Sequence, residues 1–180
     1  MEYAGDTNLK NFIEQHFKIG KQIDEDILNE IIKQMCIGLK EIHKQKIIHR
    51  DIKPENIFLD KENFSIKIGD FGISKIVLNG YTTTKIGTHE YMAQEIYGGN
   101  YTNKIDIYAL GCIFYELFNL SVYYYDKTSI NRNIQQVDLD IYKKKGKECQ
   151  VLINKMLEEN PNERFDIGQV LDYLKKNNIK

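Results

Sequence analysis

His49-Arg50-Asp51-Ile52-Lys53-Pro54-Glu55-Asn56, followed by Asp70-Phe71-Gly72, is the stretch on which the reading of this chain turns. Between the two halves lie Ile57 to Leu59 and Ile66 to Ile68, β-prone runs separated by the polar Asp60 to Asn63, which predict a small hairpin. Either aspartate alone would be an ordinary loop residue capping a turn. Both halves, in this order and on either side of one hairpin, leave a chance origin well under about one in a hundred.

Upstream, Ile27, Leu28, Ile31, Ile32, Met35, Leu39 and Ile42 recur at three- and four-residue steps. That spacing predicts one helix over about 24–44, with the acids Asp24 to Asp26 suited to its N-terminal dipole. Downstream, Phe71 to Tyr101 has no sustained period but many Gly, Thr and Tyr residues, which predicts a long functional loop. Beyond it, Asp106 to Phe118 is apolar nearly all round and predicts a buried helix. Cys149, Leu152, Ile153, Met156 and Leu157 mark an amphipathic helix, and Asp166 to Lys176 a final short one. The two prolines, Pro54 and Pro161, fall between these segments. No repeat, low-complexity tract or linker interrupts them.

The bulk properties narrow the function classes. At 180 residues and 42% hydrophobic content the chain has room for one domain with one sizeable core. A formal charge of −1 gives no reason to expect nucleic acid or an anionic membrane as the main partner. The basic run Lys143 to Lys147 is short enough to be a solvated loop. Three widely spaced cysteines, Cys36, Cys112 and Cys149, argue against a disulfide framework and a zinc site, and for a reducing, cytoplasmic compartment with the nucleus not excluded. The start of the sequence has no signal-peptide pattern, and the apolar run Ile107 to Phe118 is too short to span a bilayer. His16, His43 and His89 have no metal-ligand partners nearby in sequence and read as surface residues.

The pattern H-R-D, four residues, N, followed by D-F-G, resembles the eukaryotic-type serine/threonine protein kinases. That resemblance implies a mainly helical α+β fold of the protein-kinase type, with the small hairpin beside the catalytic loop. It also implies ATP and Mg2+ as cofactors and serine or threonine hydroxyls of proteins as acceptors. Catalysis of phosphoryl transfer is chiefly positioning and charge neutralisation, which explains the residue types. By resemblance, Asp51 would orient the acceptor hydroxyl and take its proton, and Lys53 would steady the γ-phosphate. Asn56 and Asp70 would hold Mg2+ through hard oxygens. Lys53, two residues after Asp51, matches the serine/threonine branch, and Asn56-Ile57-Phe58-Leu59 with Gly69-Asp70-Phe71-Gly72-Ile73 looks similar to the NimA-related group.

The match continues through Gly87-Thr88, Ala93-Gln94-Glu95, Asp106 with Gly111, and Arg164 after Asn160-Pro161. It places Thr88 with the catalytic set, and His49, Phe71, Gly72 and Asp106 with the structural one. In the family the glutamate at Glu95 pairs with the arginine at Arg164. Gln94 stands where the family has proline, so a looser anchor is expected there. Arg50 beside Asp51 implies control by a phosphate on the long loop, with Thr84 the best acceptor and Thr82 and Thr83 weaker ones.

Met1-Glu2-Tyr3-Ala4 resembles the hinge between kinase lobes, with Glu2 and Ala4 presenting backbone groups to adenine. Asn8 would then lie near ribose and Phe58 would form the floor under adenine, supported by Leu9, Ile113 and Leu117. As plain core residues these last are equally well explained. The domain reading is a partial kinase domain over 1–180, with a hinge remnant at 1–8 and the C-terminal lobe alone at 9–180. No glycine-rich phosphate loop or lysine-bearing strand is found before Met1, so the expectations are weak ATP binding by the isolated chain and a missing lobe or partner over the exposed floor. A noncatalytic interaction module or a gene-model fragment is the alternative.

Overall fold

The computed structural model describes residues 6–76, 88–119 and 146–179. A two-residue strand, β1 at Thr7–Asn8, turns at once into α1, Leu9–Lys18. Asn8 makes the turn: its extended backbone ends the strand, and its Oδ1 accepts the Asn11 N–H at 2.9 Å, satisfying an amide that a helix start leaves unpaired. Leu9, Phe12 and Ile13 face the core, while Phe17 and Ile19 at the far end remain more than half exposed.

Next comes α2, Glu25–Lys44, capped by Asp24, whose Oδ1 accepts from the Asp26 and Ile27 N–H groups. Leu28, Ile31, Ile32, Met35, Cys36 and Leu39 form its buried stripe. Each contributes about 1.5–3 kcal/mol on full burial, so packing rather than helix propensity holds α2. A short strand β2, Ile47–Ile48, and a 3-10 turn at Pro54–Asn56 lead into the predicted hairpin, β3 at Ile57–Leu59 and β4 at Ile66–Ile68.

The antiparallel sheet runs β1-β3-β4, with Asn8 opposite Phe58 and Ile57 opposite Ile68. Gln34 of α2 fixes the hairpin to the helix: its Nε2 donates to Phe64 O at 3.1 Å and its Oε1 accepts the Ile66 N–H at 2.8 Å. A second antiparallel pair joins β2 to β5, Lys75–Ile76. It returns the chain that follows Gly72 to the side of the stretch leading into His49.

Four helices complete the described residues: α3 at Glu95–Gly98, α4 at Lys104–Asn119, α5 at Gly146–Met156 and α6 at Ile167–Lys176. α4 begins before the predicted Asp106, because the Thr102 Oγ1 accepts the Lys104 N–H and starts the turn earlier. Its residues Ile107, Leu110, Ile113, Phe114 and Leu117 are all buried, which explains its apolar character on every side. Gly111 brings α5 close, since a Cβ there would lie 2.9 Å from Met156 Cβ. α6 opens on a capping box in which Asp166 and Gln169 each accept the other's backbone N–H. The fold is thus the expected mainly helical α+β arrangement, with α4 at its centre and the hairpin on one side.

Candidate active site

Asp51 follows β2, in the loop before the Pro54 turn, and its carboxylate is the point on which the sequence-predicted residues converge. Oδ1 accepts from Thr88 Oγ1 at 2.6 Å and from the Thr88 N–H at 3.1 Å. Oδ2 accepts from Asn56 Nδ2 at 2.9 Å and pairs with Lys53 Nζ at 2.8 Å. Lys53 Nζ also donates to Thr88 Oγ1 at 2.8 Å, closing a ring of three side chains. Burial alone would push the Asp51 carboxyl up, but the Lys53 and Thr88 hydrogen bonds, the Lys53 charge and the Asn56 N–H together outweigh it and hold the group below the usual carboxylate range. A carboxylate so held stays ionised and aimed.

The backbone under Asp51 is fixed from below by Asp106 at the start of α4. Asp106 is 1% exposed; its Oδ2 accepts the His49 N–H and its Oδ1 the Arg50 N–H, both at 2.9 Å. His49 is fully buried and joins the two halves of the opening motif. Its Nδ1 accepts the Asp51 N–H at 3.3 Å, so its Nε2 carries the proton and donates to Gly69 O at 2.9 Å. Asn56 O accepts the Gly69 N–H at 2.9 Å from the other side. Gly69 and the following Asp70 are therefore tied to the Asp51 loop by two separate bonds.

Asp70 is exposed, with its backbone in the left-handed region at φ 59, and its Oδ1 accepts the Gly72 N–H at 3.3 Å. Phe71 is half exposed and rests its ring against His49 with centroids 4.9 Å apart. Gly69 is glycine for a steric reason: a Cβ there would stand 2.6 Å from Phe58 Cε2. Phe58 therefore lies against the backbone that carries Asp70, and Asn8 is its cross-strand neighbour. The Asn8 side-chain oxygen is spent on the α1 cap.

The residues fit a divalent cation held jointly with phosphates. Asn56 Nδ2 donates to both Asp51 O and Asp51 Oδ2, which leaves its amide oxygen as the ligand it can offer. No group of three His, Cys, Asp or Glu residues able to hold a metal lies among the described residues. Mg2+ bound through one or two protein oxygens together with nucleotide oxygens needs no such group.

Glu95 and Arg164 form the expected pair, Nη1–Oε1 at 2.5 Å and Nη2–Oε2 at 3.2 Å. Arg164 is 1% exposed, donates further to Glu158 O and Lys104 O, and lies over the Tyr108 ring at 5.1 Å. Gln94, beside this pair, has a φ of −63, the angle a proline would impose. Arg50 Nε and Nη1 are buried without a hydrogen-bond partner among the described residues.

One expectation is corrected. His43 is not a surface residue: its side chain is 4% exposed and its Nε2 lies 2.9 Å from Asp106 Oδ2. Sequence reading missed it because that partner is 63 residues away along the chain. His89 is exposed as expected, with its ring against Tyr97, and His16 is half-buried, bonded to Phe12 O. Sequence reading also passed over Tyr91, whose hydroxyl donates to Glu116 Oε1 at 2.8 Å. Met1, Glu2 and Ala4, the loop threonines Thr82 to Thr84, Gly87, and Lys143 to Lys145 lie outside the described residues. Among those described, no helix is long and apolar enough to cross a membrane.

Comparison with known proteins gives a consistent set of similarities. The protein kinase domain family matches residues 1–174. A probable serine/threonine-protein kinase nek1 of Dictyostelium discoideum is 35% identical over 195 residues, covering 96% of this chain and 40% of that protein. Human serine/threonine-protein kinase Nek5 is 35% identical over 182 residues, covering 95% of this chain and 25% of its own length. An Aurora kinase of Schizosaccharomyces pombe is 34% identical over 175 residues, covering 95% and 48% respectively. The chain spans less than half the length of these relatives.

Proposed function

This chain belongs to the protein kinase family, and from that membership we propose that it transfers the γ-phosphoryl group of ATP, in the presence of Mg2+, to serine or threonine hydroxyls of protein substrates. The observation that carries this reading is the Asp51 carboxylate, ionised and held among Lys53, Asn56 and Thr88. The acceptor oxygen attacks the γ-phosphorus, the bond to the leaving ADP oxygen breaks, and the hydroxyl proton passes to Asp51. Lys53 steadies the γ-phosphate, and Thr88 keeps Asp51 Oδ1 aimed. Asn56 and Asp70 would hold Mg2+, which when bound would neutralise charge on the phosphate oxygens. In the same proposal Glu2 and Ala4 would present backbone groups to adenine, with Asn8 near ribose and Phe58 under the ring. The three widely spaced, buried cysteines Cys36, Cys112 and Cys149 favour a reducing, cytoplasmic setting.

The 180 residues on their own are proposed to act slowly, because the glycine-rich loop and lysine that cradle ATP in this family are not part of them. A nucleotide titration with Mg2+ tests the reading. The parent chain should bind ATP in a Mg2+-dependent way and Asp70→Asn should lose that dependence; equal binding by both would favour a noncatalytic interaction module. Asp51→Asn should lower any measured transfer by about 100-fold or more, the range of a lost general base.

Regulation through Arg50 belongs to the same proposal, since its unpaired guanidinium nitrogens suit a phosphate on Thr84. Thr84→Ala should then be less active than the parent after treatment with an activating kinase. Equal activity would remove this part of the reading.

A further inference from the structure

Lys10 is in the first turn of α1, where a lysine could extend into solvent. It crosses instead to the turn that carries Asn56, and its Nζ donates to Glu55 Oε1 at 2.7 Å. The two side chains are 46% and 35% exposed, and a pair so open to water adds little to stability. Its consequence lies in what it does to the charges around it. The bond to Glu55, and then the charges of Glu55, Glu14 and Glu116, hold the Lys10 ammonium above the ordinary lysine value against the opposing pull of burial. Glu116 is buried and takes the Tyr91 hydroxyl on Oε1. Burial, followed by the charges of Glu116 and Glu55, pushes the Tyr91 phenol up. Lys10, Glu55, Glu116 and Tyr91 are thus one cluster, in which a single ammonium faces several carboxylates.

The cluster adjoins Asp51 on both sides. Glu55 immediately precedes Asn56, whose Nδ2 holds Asp51 Oδ2, and Tyr91 lies one short 3-10 turn beyond Thr88, whose Oγ1 holds Asp51 Oδ1. An acceptor chain that delivers its hydroxyl to Asp51 passes over these groups. Without Lys10, the Glu55 and Glu116 carboxylates would draw in acceptors that carry lysine or arginine near the hydroxyl. Glu55 Oε2 would strengthen that pull, because it is buried with no hydrogen-bond partner among the described residues. Lys10 opposes it twice over: it takes Oε1, and its own charge repels a second cation at the same carboxylate.

We propose that Lys10 is a specificity-determining residue of the acceptor cleft: by holding Glu55 it stands where a basic side chain of the acceptor would sit, and so selects serine and threonine segments with neutral flanks. The inference deepens the phosphoryl-transfer reading and rests on it for the path of the acceptor over this cluster.

NMR titration of the full chain with serine peptides, without nucleotide, tests it. The peptides are neutral apart from a single arginine placed at successive positions on either side of the serine. In the parent, no arginine peptide binds more than about twofold tighter than the neutral one. In Lys10→Ala at least one binds about three- to tenfold tighter, the range for an ion pair regained at a partly buried carboxylate, with shifts centred on the Glu55 and Tyr91 amides. Lys10→Arg keeps the parent pattern, and adding Glu55→Gln to Lys10→Ala removes the gain.

A parent that already favours an arginine peptide by about threefold or more overturns the proposal, as does a Lys10→Ala chain without the gain or a gain that survives Glu55→Gln. So does the absence of shifts at Glu55 and Tyr91 with every peptide, because the acceptor then follows another path. Transfer is measured separately with ATP, Mg2+ and the same peptides. A parent that transfers no phosphate yet binds them in the expected pattern leaves the role of Lys10 standing and sinks the transfer reading alone.

Discussion

Asp51 divides its two oxygens among four donors, the Thr88 N–H and Oγ1, Asn56 Nδ2 and Lys53 Nζ, and this sharing ties its charge to folding. Its carboxyl is held below the ordinary value in the folded chain, so the ionised group stabilises the fold above the unfolded pKa of about 4. That contribution is lost as pH falls through the lower, folded value. Urea midpoints of the parent and Asp51→Asn should therefore differ at neutral pH and draw together well below pH about 4. A gap that persisted in strong acid would count against the ionised group as its source. At the same scale, Arg164→Met strands Glu95 and removes the donors to Glu158 O and Lys104 O. It should cost about 3–5 kcal/mol in denaturant unfolding, the range for one partner lost from a buried ion pair. His43 shows where residue-scale reading stops, because its sequence neighbours give no sign of the distant carboxylate that draws it inside.

Among the elements, the contact between α4 and α5 depends on the missing side chain at Gly111. Gly111→Ala places a Cβ 2.9 Å from Met156 Cβ, an atom fixed to its backbone that cannot swing aside, and 3.0 Å from Leu157 Cδ2. Helix propensity favours alanine by up to about 1 kcal/mol, but overpacking costs about 1–3, so a net loss of up to about 2 kcal/mol is expected in thermal or urea unfolding. Asp166→Ala, which removes one half of the α6 capping box, should cost about 1 kcal/mol by the same measurement. The elements that the sequence predicts are those whose own residues carry the signal: α2 by its stripe, α4 by its uniform apolarity, α6 by its cap, and the hairpin by its paired β-prone runs. α1 escaped notice because Phe17 and Ile19 are apolar yet exposed, which blurs the period set by Leu9, Phe12 and Ile13. The two-residue strands β1 and β5 exist through partners elsewhere in the chain, Phe58 with Leu59 and Ile47 with Ile48, and no local pattern marks them. For the site, the motif named Asp51, Lys53, Asn56 and Asp70, but the bonds from His49 to Gly69 and from Asp106 to the loop amides emerge only when the helices pack.

For the whole molecule, burial concentrates on α2 and α4, which should exchange their central amides at the slowest rates, those set by global unfolding. The last turn of α6 should open earlier, and exchange of all helices at one common rate would contradict this ranking. Across the described residues, five non-glycine positions adopt left-handed backbone: Lys46, Arg50, Phe64, Asp70 and Asn178. Arg50 and Asp70 are the two that flank the candidate site. The left-handed region is uncomfortable for branched side chains and easiest for glycine and asparagine. In a library randomised at position 70 and selected only for protease resistance, asparagine and glycine should accordingly survive alongside aspartate, while valine and isoleucine drop out. The geometry thus limits how a descendant of this chain could shed its carboxylate, and asparagine offers the quietest exit.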